Sequence, residues 1–430
     1  MDHWEVGFDE HGRANQDDAG KLLGELPGRD LTDLFVFAHG WNNDRRQARR
    51  LYDLYFGQVP GLLSRGGAQG VKAGWLGVVW PSKRWADEPE PTAAADGGGA
   101  AGLGDGAGSP VPPDPLLVED LKDVFEGDER RAALDELARL LEERPEDRAA
   151  LARFQALMAE LATEPDASPA GEDQGELALL EDDPEEVFGR FADAMPQTGE
   201  GGAAGIGDTF GRLWNGAKEA LRQLTYFEMK KRAGVVGKEG LGPLLGRIHQ
   251  ADPQVRIHLM GHSFGARLVS FALAGLPDPV DSPVKSLYLL QGAFSHFAFA
   301  DALPMDRSRG GALKGMAARV DGPLVASFSI HDTAVGKLYP LASLSSQDDA
   351  AGLEDRLFRW GGIGHDGAQA VDATVAALAP VGSGYPFQRG RFVNLDGNAI
   401  INRGGPPSGA HSDIFHPEVV WAGLAAAGLV

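Results

Sequence analysis

Short apolar segments recur along the chain, separated by stretches whose apolar residues follow helical spacing. The apolar segments predict β-strands at residues 3–12, 33–40, 74–80, 255–261, 284–292, 323–332 and 390–397. The intervening and following stretches predict helices at residues 44–59, 208–234, 241–250 and 416–430. Strands that are apolar throughout and alternate with helices are typical of a mostly parallel sheet with helices on both faces. The expected fold class is α/β.

Residues 82–205 break this pattern. A stretch rich in Gly, Ala and Pro covers residues 87–115, and an acidic stretch covers residues 163–176. Such compositions bury little apolar surface, so both stretches are interpreted as linkers. Between them, residues 130–162 have amphipathic spacing that is interrupted at Pro145, which predicts two short helices.

This change of composition suggests how the chain is divided. We expect residues 1–81 and 206–430 to form one α/β core. Residues 82–205 are expected to form an acidic, partly disordered helical insertion in that core. The insertion is interpreted either as a lid that gates a site or as an arm that binds a protein partner.

The overall composition excludes several classes of function. The chain has 62 acidic and 40 basic residues and a formal net charge of −22, which argues against binding nucleic acid or an anionic membrane through the overall field. It has no cysteine, so disulfides, thiolate metal sites and a cysteine nucleophile are excluded. Neither a signal-peptide pattern nor a membrane-length apolar run is found. The sequence therefore predicts a cytoplasmic protein with no membrane span and no nucleic-acid partner.

The most informative motif is Gly-His-Ser-Phe-Gly at residues 261–265. It follows the predicted strand 255–261 and precedes a run with helical character, so Ser263 is expected at a sharp strand-to-helix turn. Small residues on either side of the serine let the backbone turn tightly and expose the hydroxyl. A helix that begins after Ser263 adds backbone N–H groups for a developing oxyanion. Ser263 is the candidate nucleophile.

A serine nucleophile needs a base, and the base needs a carboxylate that orients it. Asp332, at the end of the predicted strand 323–332, is the favoured carboxylate, and Asp396 is the alternative because it also ends a predicted strand.

Three histidines that follow Asp332 are candidate bases: His365, His411 and His416. His365 precedes the last predicted strand, whereas the base is expected in a loop after that strand. His416 directly precedes Pro417, so we expect it at a helix start, where capping of the backbone occupies it. His411 lies in the loop between the last predicted strand and the closing helix, and it is favoured over His416.

The loop after the predicted strand 33–40 offers the second half of an oxyanion hole. Backbone amides near Gly40 and Trp41 are expected to act together with that of Phe264. A glycine is needed there because a side chain would block the approach of substrate. His39 is expected to orient this loop and not to transfer protons.

Together these features resemble the α/β-hydrolase superfamily of serine hydrolases, and within it bacterial lipases and esterases. The resemblance covers about residues 33–81 and 207–430 and rests on His-Gly-Trp-Asn at 39–42, Gly-His-Ser-Phe-Gly at 261–265, Asp332 and His411. In that fold the acid and then the base follow the nucleophile along the chain, which supports Asp332 and His411.

The resemblance implies an acyl-enzyme mechanism on a small-molecule or lipid-like ester. Ser263 attacks the carbonyl, His411 carries the proton and Asp332 stabilises the imidazolium. No metal and no organic cofactor are expected. An amidase or peptidase with the same triad, and a non-catalytic scaffold with the hydrolase fold, are the alternatives, because one fold supports many functions.

Overall fold

The computed structural model describes residues 1–41, 43–82, 118, 120–125, 127–162, 180, 182–194, 206–277, 282–338, 361–405 and 408–430 of the chain. The two predicted linkers, residues 87–115 and 163–176, lie outside the described residues.

Eight parallel strands form a single sheet. They are β1 (His3–Gly7), β2 (Asp33–Ala38), β3 (Ala73–Val79), β4 (Arg256–His262), β5 (Val284–Leu290), β6 (Leu324–Phe328), β7 (Ala373–Ala377) and β8 (Phe392–Asp396). Their order across the sheet is β1-β3-β2-β4-β5-β6-β8-β7, and every pairing in it is parallel. The predicted α/β class with a mostly parallel sheet is confirmed.

Two strands differ from the prediction. β6 ends at Phe328 because the chain then turns, with the Asp332 N–H donating to the Ser329 carbonyl over 3.0 Å. Asp332 therefore lies in a turn beyond the strand and not at its last position. β7 is not predicted from the sequence, because it is an edge strand with exposed positions such as Val375, which is 65% exposed. Such a strand lacks the continuous apolar run that marks a buried one.

Helices connect the strands. They are α1 (Gln16–Glu25), α2 (Arg45–Phe56), α3 (Val59–Arg65), α4 (Asp128–Glu143), α5 (Arg148–Leu161), α6 (Pro184–Ala194), α7 (Ile206–Val235), α8 (Gly242–Ala251), α9 (Phe264–Gly275), the single turn α10 (Ile363–Asp366) and α11 (Pro417–Ala426). π-helical turns lie at Val236–Leu241 and Ala334–Leu338. No helix in the described part of the chain is long and apolar enough to cross a membrane.

Local sequence sets several helix ends. Asp44 begins α2 in a capping box with Gln47, in which each side chain accepts from the other residue's backbone N–H. Asp147 caps α5, and the predicted break at Pro145 falls between α4 and α5. Pro417 occupies the first turn of α11, where its missing N–H costs nothing.

Both faces of the sheet are buried. Successive side chains of β2 belong to two different hydrophobic clusters: Leu34 and Val36 to one, Phe35 and Phe37 to the other. The first cluster includes buried residues of α1, α7 and α9, and the second includes those of α2, α3 and α11. Because side chains alternate across a strand, this division shows a sheet covered by helices on both sides.

Two helices of the predicted insertion, α5 and α6, pack against α7, and α4 packs on α5. Phe154 of α5 lies 5.9 Å from Phe188 of α6 and 5.6 Å from Trp214 of α7, measured between ring centroids. All three side chains are fully buried. Since α7 also packs on α9, it joins the insertion to the helix that starts directly after Ser263.

Candidate active site

A strained turn joins β4 to α9 at Ser263. The serine has φ 58° and ψ −122°, a conformation that costs free energy for any residue with a side chain. A Cβ on Gly261 would collide with the backbone of Gly265, and one on Gly265 would collide with the Ala38 carbonyl. Both flanking glycines are therefore required by close backbone contacts, which explains why the pentapeptide has glycine at these two positions.

The structure brings Ser263, His411 and Asp332 together. The Ser263 hydroxyl oxygen lies 2.8 Å from His411 Nε2, and His411 Nδ1 lies 2.8 Å from Asp332 Oδ2. Asp332 is fully buried, Ser263 is 7% exposed and the His411 side chain is 12% exposed. A carboxylate only accepts hydrogen bonds, so its place beside Nδ1 puts the ring proton there. Nε2 is then the acceptor that faces the serine hydroxyl.

The loops that carry Asp332 and His411 are joined to each other. Asp332 forms an isolated antiparallel bridge with Gly409, and the Ala410 N–H donates to the His331 carbonyl over 2.8 Å. A Cβ on Gly409 would collide with that same carbonyl, so the backbones of the two loops lie in close contact here. This contact fixes His411 and Asp332 relative to one another although they are far apart in sequence.

The alternative residues lie elsewhere. His416 is the residue before α11, as expected, but its side chain caps no backbone group. Its Nε2 lies 2.7 Å from Asp413 Oδ1, and Asp413 in turn accepts from the Asn402 N–H over 3.0 Å. Asp396 accepts the Asn398 N–H over 2.9 Å within its own turn. His365 lies in the single turn α10.

Hydrogen bonds from side chains to backbone carbonyl groups hold the loop after β2. His39 Nδ1 lies 2.8 Å from the Gly40 carbonyl, and the Asn43 amide donates to the carbonyls of Gly40 and Trp41 over 3.2 and 2.9 Å. In a trans peptide the C=O and the next N–H point in opposite directions. The Trp41 N–H therefore points away from His39 and Asn43. A Cβ on Gly40 would lie 2.7 Å from Ser263 Cβ, so this loop passes directly beside the serine.

Burial keeps two nearby histidines neutral. Desolvation lowers the pKa of His39 to about 4. Desolvation, reinforced by the charge of His411, lowers the pKa of His262 to about 3. The His262 ring lies 4.9 Å from that of His411, and its Nε2 lies 2.9 Å from the His411 carbonyl oxygen. A neutral His262 that donates from Nε2 thus links the strand before Ser263 to the loop that carries the base.

An aromatic cluster of Trp41, Tyr226 and Phe264 lies beside this loop. The ring of Tyr226, on α7, is 5.8 Å from Trp41 and 4.7 Å from Phe264. The Trp41 and Phe264 rings are 6.2 Å apart. These three rings place apolar surface next to the backbone of Gly40 and Ser263.

Compared with known proteins, the chain matches no protein-family model, no curated protein and no solved structure.

Two side chains of the site are missed by sequence reasoning. Gln291 donates to Asp332 Oδ2 over 3.1 Å, and Asn43 holds the loop carbonyls. Gln291 had one visible signal, since it is a polar residue directly after the apolar strand β5. In the described part of the chain, no group of three or more His, Cys, Asp or Glu side chains is placed to hold a metal ion.

Proposed function

We propose that the protein is a serine hydrolase with an α/β-hydrolase fold that cleaves carboxylic esters. One observation carries the proposal: the unbroken chain of hydrogen bonds from Ser263 through His411 to Asp332, at 2.8 Å for each link. Hydrogen-bond reach between nucleophile, base and orienting carboxylate is the geometric signature of an activated serine. The strained turn beneath Ser263 supports it, because such strain persists where function uses it.

The proposed reaction has two halves. His411 Nε2 takes the hydroxyl proton as Ser263 Oγ attacks the ester carbonyl carbon, and Asp332 stabilises the imidazolium that forms. His411 then gives this proton to the leaving alkoxide oxygen as the C–O bond breaks, so that the acyl group remains on Ser263. Water next gives a proton to His411 and attacks the acyl carbon. The carboxylic acid leaves and Ser263 regains its proton.

Backbone amides stabilise the negative charge on the carbonyl oxygen in this mechanism. The Phe264 N–H is in the first turn of α9, where amides have no partner within the helix. The Trp41 N–H is turned away from the side chains that hold the Gly40 carbonyl. We assign these two amides as the oxyanion donors, with Gly40 leaving the space in which the oxygen sits.

The substrate class follows from the surroundings of this oxyanion hole. The rings of Trp41 and Tyr226, which are partly exposed, pack beside it on the buried ring of Phe264. Aromatic side chains supply large apolar contact areas. We therefore propose esters with an apolar acyl or alkyl group, and we assign α7 a role in lining the path to Ser263.

Labelling with a fluorophosphonate, followed by mass spectrometry of the intact protein and its peptides, tests the proposal. We expect a single adduct on Ser263 in the wild type and none in Ser263→Ala or His411→Ala. Ser286→Ala is the matched control, since Ser286 also bonds to a histidine but lies within β5. Folded wild-type protein that gains no adduct contradicts the proposal. Matched ester and amide substrates then show which bond the labelled serine cleaves.

A further inference from the structure

We propose that Gln291 is a positioning residue of the triad, whose side-chain amide holds the Asp332 carboxylate in the orientation that faces His411. The inference rests on the proposed function, because it assigns a role in the same reaction. Gln291 follows β5 directly and is fully buried.

Gln291 and His411 share one carboxylate oxygen. Gln291 Nε2 donates to Asp332 Oδ2 over 3.1 Å, and His411 Nδ1 lies 2.8 Å from the same atom. The other oxygen, Oδ1, accepts the Val335 N–H over 3.0 Å. With both oxygens held, the carboxylate has one orientation in which Oδ2 faces the base. Hydrogen bonds to an ionised group are the stronger kind, so the Gln291 amide contributes to this choice.

Neighbouring groups determine which way the amide points. The Ser327 hydroxyl donates to Gln291 Oε1 over 3.2 Å, and the second hydrogen on Nε2 is donated to the Gly364 carbonyl over 2.9 Å. A flipped amide would place its oxygen against Asp332 Oδ2 and the Gly364 oxygen, which are both acceptors. Ser327 and Gly364 thus fix the amide with its donor toward the carboxylate.

The backbone at Gln291 is strained, and the positioning role explains why this strain is kept. Its φ of 46° lies in the left-handed region, which residues other than glycine seldom adopt. The turn packs so closely on α10 that a Cβ on Gly364 would lie 2.6 Å from the Gln291 carbonyl carbon. Strain of this kind persists where a side chain must be held in one place. Here the strained backbone holds the side chain of Gln291, which bonds to Asp332.

The amide also moderates the charge that His411 faces. A donor on Oδ2 offsets part of the carboxylate's negative charge, and removing that donor makes the histidine ring harder to deprotonate. Among the described residues, the titratable side chains in contact with His411 are Asp332, from the turn after β6, and His262, from β4. Burial lowers the pKa of His262 to about 3, so this imidazole is neutral above that pH and adds no charge beside His411.

Fluorophosphonate labelling rates of the wild type and Gln291→Met across a pH series test the role of Gln291. Methionine keeps the volume and removes the donor, while the Gly364 carbonyl still accepts the Ser329 N–H. We expect Gln291→Met to label about tenfold more slowly at the plateau, the factor for losing one hydrogen bond to a charged group. The midpoint of the acid limb should rise in Gln291→Met, because the carboxylate that loses its donor holds the proton of the facing imidazolium more strongly.

Ser327→Ala is a second variant that tests the positioning role of Gln291. It leaves Asp332 untouched but removes the hydroxyl that fixes the amide, so we expect about a threefold loss of labelling rate. Thermal unfolding of each variant reports whether the fold is kept. A packing role predicts wild-type rate and midpoint in Gln291→Met, and that result would overturn the inference. Absence of labelling in the wild type instead rejects the proposed function itself, so the two failures are distinct.

Discussion

Two Asp–His–Ser chains of hydrogen bonds lie at opposite ends of β4. The chain at the carboxyl end is Asp332–His411–Ser263. At the amino end, His258 Nε2 lies 2.9 Å from Asp33 Oδ1, and His258 Nδ1 lies 2.9 Å from the hydroxyl oxygen of Ser286. Both chains join a carboxylate to a hydroxyl through one imidazole, with similar distances and in largely buried surroundings.

The surroundings of the two serines differ. Ser286 lies within β5, where it pairs with His258 of β4 next to a register shift between Ile257 and His258. Ser263 lies at a strained turn, with the N-terminus of α9 directly after it. Only Ser263 therefore has unpaired helix amides beside its hydroxyl. The imidazoles also face opposite ways, since His258 meets its carboxylate through Nε2 and His411 through Nδ1.

The two carboxylates differ as well. Burial alone would raise the pKa of Asp33, but hydrogen bonds from His258 and Thr32 and the charge of Arg256 outweigh it and lower the pKa. Arg256 lies 2.7 Å from Asp33 Oδ1, so the charge of this carboxylate is already balanced. Asp332 has amide donors and His411 around it. Under the proposed function, the comparison indicates that three residue types in hydrogen-bond contact are not sufficient for catalysis. The strained turn, the helix N-terminus and a carboxylate without an arginine partner are the features that distinguish the chain at Ser263 from the chain at Ser286.

Replacing each serine gives the largest expected contrast. We expect Ser263→Ala to lower ester turnover by roughly 10⁵–10⁶-fold, since loss of the nucleophile removes the acyl-enzyme route. Ser286→Ala should keep turnover within a factor of about two, because a buried hydroxyl far from the reaction supplies only local hydrogen bonding. Steady-state hydrolysis of a chromogenic ester measures both. Equal losses in the two variants would remove the distinction between the two ends of β4.

The carboxylates give the next contrast. Asp332→Asn keeps the size of the side chain but no longer stabilises the imidazolium, so turnover should fall by roughly 10⁴-fold. Asp33→Asn leaves Arg256 without its anionic partner, and we expect a loss of roughly 2 kcal/mol in the free energy of unfolding with unchanged turnover per folded molecule. Urea unfolding and active-site titration separate the two effects. A large loss of turnover in Asp33→Asn would show that the amino-end chain serves the reaction.

A third difference between the two ends of β4 is that, at the carboxyl end, the backbone of the Gly40 loop lies very close to Ser263. A Cβ on Gly40 would lie 2.7 Å from Ser263 Cβ and 3.2 Å from His262 Nδ1. Gly40→Ala therefore displaces the serine or the loop, and a displacement of this size is expected to cost about 100-fold in turnover. Gly20→Ala is the matched control, since nothing lies within 4 Å of a Cβ on Gly20 in α1. Turnover that is unchanged in both variants contradicts the placement of this loop beside the nucleophile.

The sequence predicts the central strands of the sheet well, but it does not predict the side chains that hold the candidate triad in place. A buried strand such as β2 contains a continuous apolar run, whereas the exposed edge strand β7 has no such pattern. Ser263 can be chosen from its flanking glycines, because the turn itself demands them. Gln291 cannot, because its partners Ser327 and Gly364 are distant in sequence and meet it only in the folded sheet.

The smallest expected effect concerns acid stability, and it compares the histidines at the two ends. Burial lowers the pKa of both histidines, but at His258 the hydrogen bond with Asp33 opposes this effect. His262 bonds to a neutral carbonyl, and its pKa falls from 6.5 to about 3. The unfolded chain binds a proton at His262 between these two values and the folded chain does not. This contribution to stability is therefore complete above about pH 6.5 and is lost as the pH falls toward 3.

The expected magnitude is about 2 kcal/mol between pH 6.5 and pH 5, from 1.36 kcal/mol per pH unit for one proton. His262→Gln keeps a side-chain N–H for the His411 carbonyl but does not titrate, so its unfolding free energy should fall less over this range than that of the wild type. His11→Gln is the control, because the His11 side chain is 67% exposed. Urea unfolding at the two pH values measures the difference for each protein. If His262→Gln loses as much stability on acidification as the wild type and His11→Gln do, His262 is not the buried neutral link between β4 and the loop that carries His411.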